Sequence, residues 1–79
     1  MIGPVESGER GWRRAWPDGT TAIKVTDVRG YGPDRGFAWL AMDERGRMVG
    51  QGEMASILKA SACAYAVARA LGWIREGDE

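Results

Sequence analysis

The side chains that could carry catalysis or bind a metal are few and scattered in this 79-residue chain. The absence of histidine excludes histidine-based acid–base catalysis, serine–histidine and cysteine–histidine nucleophile pairs, and the usual zinc sites. Cys63 has no second thiol and no neighbouring base to activate it, which favours a buried structural residue. Asp43 and Glu44 are adjacent in a predicted turn, where their carboxylates point apart into water. We therefore expect no catalytic residue, no metal and no cofactor.

Length and charge narrow the class of protein further. A chain of 79 residues is the size of one domain, and its 44% apolar residues are typical of a folded one. Eleven basic residues balance eleven acidic ones, which excludes both a mimic of nucleic acid and a protein that binds nucleic acid by overall charge alone. No segment has the pattern of a membrane span or a signal peptide, and the thiol is unpaired. A cytoplasmic protein is therefore the expectation.

Alternating apolar and polar residues predict an antiparallel sheet between residues 12 and 54. Residues 12–16 and 20–28 flank a turn at 17–19, and in the second run Ile23 and Val25 face opposite to Lys24 and Thr26. Residues 37–43 and 47–54 form a second predicted hairpin around the turn sequence DERG. Residues 1–11, rich in glycine and without periodicity, are expected to form a loose, flexible arm.

A single helix is predicted to end the fold, over residues 56–71. Ser56 suits the N-cap of this helix, and Gly72 suits the position after its end. The side chains of its predicted buried stripe are mostly small. That stripe is predicted to contain six residues, Ala60, Cys63, Ala64, Val67, Ala70 and Leu71. Residues 75–79 read as an acidic tail. The expected architecture is α+β, an antiparallel β-meander of three to four strands with one C-terminal α-helix packed on one face.

The distribution of charge suggests two candidate binding surfaces. Residues 10–47 contain eight basic residues and five acidic ones, and nine of the eleven basic residues in the chain are arginine. A predicted basic patch comprises Arg13, Arg14, Arg35, Arg45 and Arg47, interleaved with Trp12, Trp16 and Trp39. The second surface is the outer side of the helix, where Tyr65 and Arg69 align with Leu58 and Ala62. For the first surface the alternative is ordinary solvated strand faces. For the second, the alternative is that Leu58 folds over a sheet edge and Tyr65 is a singly exposed aromatic residue.

The end of the chain resembles double-stranded-RNA-binding domains. In that family a Gly-x-Gly strand leads into an alanine-rich helix, as Gly50-Gln51-Gly52 does here before Ala60, Ala64 and Ala68. The family's lysine cluster for the phosphates is replaced here by Ala55-Ser56-Ile57-Leu58, which leaves Lys59 alone. The alternative function is a small nucleic-acid-binding module that uses the Arg- and Trp-rich sheet face, and this resemblance of the chain's end agrees with it.

A broader resemblance covers the whole chain. Its size and its order of elements, a tryptophan-rich hairpin, the strand–turn–strand FAWLAMDERGRMVGQGEM and an alanine-rich helix, look like the small anti-CRISPR proteins of phages and prophages. That family implies a non-enzymatic inhibitor in the cytoplasm of the bacterial host that binds a Cas subunit of a type I CRISPR complex and blocks recognition of target DNA. Separately, we expect a monomer. The family has no common motif, so no residue role follows from it. This is the function we expect, with a protein partner preferred over nucleic acid and no membrane.

Overall fold

Five strands in chain order build one antiparallel sheet, and a single helix follows it. The structure is a computed structural model, and it describes residues 1–75. The strands are β1 (Glu6–Gly8), β2 (Gly11–Ala15), β3 (Thr21–Asp27), β4 (Phe37–Met42) and β5 (Met48–Met54), and each pairs with the next. A short 3₁₀ turn (Arg29–Tyr31) separates β3 from β4, and α1 (Ile57–Ala70) comes last. The predicted α+β class and terminal helix are confirmed, whereas the sheet has five strands rather than three or four.

The additional strand lies in the segment expected to be a loose arm, so that prediction is wrong. β1 pairs with β2 through Ser7 opposite Trp12, although none of its own side chains is buried. Ahead of it, Ile2 is buried in the core and its backbone N–H donates to the Trp73 carbonyl oxygen at 3.3 Å. The arm is held by backbone hydrogen bonds and one apolar side chain, which leave no periodic signal in the sequence.

The ends of the helix follow the predicted capping residues. The Ser56 hydroxyl accepts a hydrogen bond from the Lys59 backbone N–H at 3.2 Å, and Gly72 has a φ of +75° just beyond the last turn. Both are standard devices for satisfying the terminal backbone groups of a helix. Of the predicted acidic tail, Arg75 is exposed and residues 76–79 lie outside the described part of the chain.

The core lies between α1 and one face of the sheet. Ile23 and Val25 are the largest fully buried side chains, and the helix places alanine against the sheet. Small residues let the helix backbone approach the strands closely, and the tryptophans at the sides supply apolar area. The buried helix row consists of Ala60, Ala64 and Ala68.

Part of the predicted helix stripe is therefore wrong. Ala70 and Leu71 are exposed, and Cys63 and Val67 are only half-buried. At 100° per residue, Ala70 lies about 120° around the helix from the centre of the buried row, and Leu71 is already its C-cap.

The Gly-x-Gly pattern of β5 is explained by packing against Trp39. The indole lies on the strand so closely that a Cβ built on Gly52 would stand 2.7 Å from Trp39 Nε1. A Cβ on Gly50 would stand 3.1 Å from the same ring. Because neither glycine has a side chain, the Trp39 ring can pack directly against the backbone of β5.

We expect Gly52→Ala to lower the free energy of unfolding by about 1–3 kcal/mol, because the ring or the strand must move. Gly50→Ala should have a smaller effect, because its neighbours need to give way by only a few tenths of an ångström. Gly30→Ala is the control, since no atom lies within 4 Å of its built Cβ. Urea unfolding of the three variants measures their free energies of unfolding. Equal midpoints for Gly52→Ala and Gly30→Ala would rule out this packing.

Candidate docking surface

The side of the sheet that faces away from α1 is here called the open face, because no element within residues 1–75 covers it. The strand pairings place Arg13, Lys24, Leu40 and Gln51 next to one another across β2 to β5. These positions alternate with the buried residues Ile23, Val25 and Ala41, so their side chains lie on the opposite side of the sheet. Leu40 is half-buried and sits near the middle of this row. The open face thus combines an apolar centre with charged surroundings.

Two ion pairs organise the charges of the open face. Arg13 Nε lies 3.6 Å from Glu6 Oε1, and the same guanidinium donates to Thr21 Oγ1 at 2.8 Å. Arg35 Nε lies 2.9 Å from Glu53 Oε1, and Glu53 also accepts the Gly36 backbone N–H at 3.0 Å. Lys24 is exposed and forms no ion pair with any residue from 1 to 75.

The predicted basic patch does not exist as one surface. Arg13 and Arg35 belong to the open face, and Arg45 and Arg47 lie in the turn between β4 and β5 and just beyond it. There their backbone N–H groups both donate to Asp43 Oδ1 at 2.9 Å, which lowers the pKa of that carboxyl group. Arg14 lies on the covered face with 4% exposure, since consecutive residues of a strand point to opposite sides.

Arg14 is part of the packing between β2 and the helix. Its Nε donates to the Gly3 carbonyl oxygen at 2.6 Å, and its guanidinium carbon lies 5.9 Å from the centre of the Tyr65 ring. Trp12 stacks on Tyr65 at 5.1 Å between ring centroids and donates from Nε1 to Ser61 Oγ at 2.9 Å. These contacts hold the strand to the side of α1.

The prediction that Tyr65 belongs to an exposed helix stripe is therefore wrong. Tyr65 is half-buried, because it lies on the side of the helix that faces β2. Leu58 is 79% exposed, and Ala62 and Arg69 are exposed as well. Three of the four residues thus remain on the outer surface of α1.

The tryptophans assigned to the basic patch all lie elsewhere. Trp39 packs between β5 and Val67 on the covered face. Trp16 is buried, donates from Nε1 to the Met42 carbonyl oxygen at 2.9 Å and meets Trp73 edge to face. The open face therefore has no tryptophan from this set.

Sequence reasoning did not select the residues that fill the open face. Lys24, Leu40, Gln51 and Glu53 lie outside the predicted set. The alternation in β3 already places Lys24 opposite Ile23 and Val25, so selection by alternation, rather than by the abundance of arginine, would have included Lys24. Residues 37–42 are apolar at every position, so alternation could not assign Leu40 to either face.

An ion pair joins Asp27, the last residue of β3, to Arg29 in the 3₁₀ turn that follows. Arg29 donates from Nε and Nη2 to the Asp27 carboxylate at 3.0 and 2.8 Å, and its guanidinium lies 4.8 Å from the Phe37 ring centre. These hydrogen bonds, with that from the Arg29 backbone, lower the pKa of Asp27 from 3.8 to about 2. The pair stabilises the fold fully above pH 4, and its contribution is lost as the pH falls through about 2.

We expect Arg29→Gln to move the Asp27 pKa back towards 3.8, because the Arg29 side chain is the main cause of the shift. Titration of the Asp27 carboxyl carbon by NMR measures this. Arg35→Gln removes an equal charge from a different ion pair and should leave the pKa of Asp27 unchanged. An equal shift in the two variants would contradict the local origin of the effect.

Between residues 1 and 75, no group of three or more acidic or cysteine side chains could hold a metal ion. Within the same range, no helix is long and apolar enough to cross a membrane.

Comparison of the chain with models of protein families, with curated proteins and with solved structures finds no match. The function therefore has to be argued from the open face and from the resemblances of the sequence.

Proposed function

We propose that this protein is a small non-enzymatic binding protein that docks its open face on a protein partner. The observation that carries the proposal is the open face itself, a sheet surface with half-buried Ala38 and Leu40 at its centre and charged residues around them. An apolar centre with a polar rim is the usual composition of a protein-binding surface. α1 packs on the other face of the sheet and forms the core with it. The open face can therefore bind a partner without any core residue becoming exposed.

The partner that we propose is a Cas subunit of a type I CRISPR complex in the cytoplasm of the bacterial host. Support for this comes from the resemblance in size and order of elements to anti-CRISPR proteins. The protein would bind as a monomer and cover the surface with which the complex recognises target DNA. Its formal net charge of zero favours covering that surface over imitating DNA.

Nucleic acid is the alternative partner, and the arrangement of side chains favours it less. Binding of single strands depends on aromatic rings that stack on bases, and Trp12, Trp16 and Trp39 pack on the covered side instead. Glu6 and Glu53 lie among the cations of the open face, where they would repel phosphates. A protein surface with charges of both signs suits these residues better.

The experiment is to mix the purified protein with a purified type I effector complex and to measure binding of target DNA. We expect the protein to elute with the complex on size exclusion and to prevent DNA binding, while free DNA and RNA stay unbound. Strong, salt-sensitive binding to free nucleic acid without binding to the complex would favour the alternative. A stable dimer that occupies the open face would contradict both.

A further inference from the structure

A shallow groove runs across the open face. It consists of two adjoining depressions of about 390 and 520 Å³, which share Lys24 and Thr26 in their linings. The first extends over Gly8 and Gly11, and the second extends over Ala38 to Glu53. Because these positions pair across the sheet, the groove crosses the strands rather than following one of them.

The charges along this groove are unequal. Four cations line it, Arg10, Arg13, Lys24 and Arg35, against two carboxylates, Glu6 and Glu53. Both carboxylates already pair with arginine, and Arg10 lies beside Asp27, whose hydrogen bonds go to Arg29. Lys24 stands at the junction of the two depressions without an ion-pair partner in the described chain. An occupant with separate negative charges would complement this arrangement.

The dimensions of the groove suit a short extended peptide. Five strands at about 4.8 Å between neighbours span about 19 Å, which is the length of about six extended residues at about 3.3 Å each. Side chains of an extended peptide alternate, so acidic residues at every second position would all point to the groove. A continuous phosphate backbone would instead bring charges against Glu6 and Glu53.

We infer that the groove binds an extended acidic segment of the partner protein, with Lys24 as its contact where the two depressions meet. This inference rests on the proposed function, because it specifies the chemistry by which the open face recognises its partner. It predicts acidic residues at alternating positions in the bound segment.

The chain contains two lysines, and they make a matched pair for the test. Lys24 lies in the groove, whereas Lys59 is exposed on α1. The probe is the blocked hexapeptide EAEAEA, with QAQAQA as its uncharged equivalent and a six-nucleotide oligothymidylate as the nucleic-acid arm. The rates at which the two lysines are acetylated are measured by mass spectrometry, with each probe at millimolar concentration.

We expect EAEAEA to slow acetylation of Lys24 at least about three-fold relative to Lys59, and QAQAQA to slow neither. In a binding titration, Lys24→Gln should weaken EAEAEA about two- to five-fold, as expected for one exposed ion pair, and Lys59→Gln should have no effect. Equal protection of both lysines, equal binding of QAQAQA, or stronger protection of Lys24 by the oligonucleotide would overturn the inference.

Failure of the groove inference differs visibly from failure of the proposed function. If the protein binds the type I complex but EAEAEA leaves Lys24 unprotected, the groove inference is wrong and the proposed function stands. If EAEAEA protects Lys24 but the complex is not bound, the groove recognises acidic peptides and the partner is a protein other than the type I complex.

Discussion

Replacing Gly11 with alanine is expected to lower the free energy of unfolding by at least about 3 kcal/mol, or to prevent folding. Gly11 has a φ of +149°, and a Cβ built on it would lie 1.9 Å from the Val25 carbonyl oxygen of the paired strand. That neighbour is backbone, so relief of the overlap requires β2 and β3 to separate locally. Strain and overpacking of this kind are among the few causes of large effects from a single substitution. A domain of this size has a total stability of only about 4–12 kcal/mol.

The same substitution at Gly8 provides the control. Gly8 pairs with Gly11 between β1 and β2, yet its built Cβ has no atom within 4 Å. Gly8→Ala should therefore stay within about 0.5 kcal/mol of the natural protein. Urea unfolding followed by tryptophan fluorescence measures both variants. If Gly11→Ala unfolds at the same urea concentration as Gly8→Ala, the close approach of β2 and β3 is wrong.

The second large effect is expected on binding. Leu40→Asp should weaken the proposed interaction with a type I complex at least about 30-fold, the equivalent of about 2 kcal/mol at the centre of an interface. Leu40 lies between Lys24 and Gln51 in the pairing across the sheet, so an aspartate there introduces charge into the apolar centre. Titration of the complex with the purified variant measures the loss.

Leu58 supplies the matched control for Leu40. It is 79% exposed on α1, and it belongs to the helix surface that the sequence offered as a competing interface. Leu58→Asp should bind as the natural protein does, and circular dichroism should show that both variants keep the fold. Loss of binding in Leu58→Asp together with normal binding in Leu40→Asp would move the interface to the helix.

The central strands could be predicted because their signals are local. In β3 the alternation of Ile23 and Val25 with Lys24 already separates the two faces, and the turn at Asp43 to Gly46 has the expected positive φ at Gly46. Capping by Ser56 depends on residues within one turn of the helix. Such features need no knowledge of the rest of the fold.

The features that could not be predicted depend on distant neighbours. β1 is a strand because β2 offers it a free edge, and its own residues carry no apolar pattern. Tyr65 is half-buried because Trp12 stands beside that side of the helix. The basic patch was wrong for a different reason, since Arg13 and Arg14 are consecutive in a strand and cannot share a face.

The central claim is that the open face is the docking surface, and site-specific cross-linking tests it directly. A photoreactive amino acid is placed at Gln51 on the open face or at Ala62 on the outer side of α1, both of which are exposed. With the type I complex present, illumination should join position 51 to one Cas subunit and leave position 62 free. Cross-links from position 62 with none from position 51 would contradict the claim.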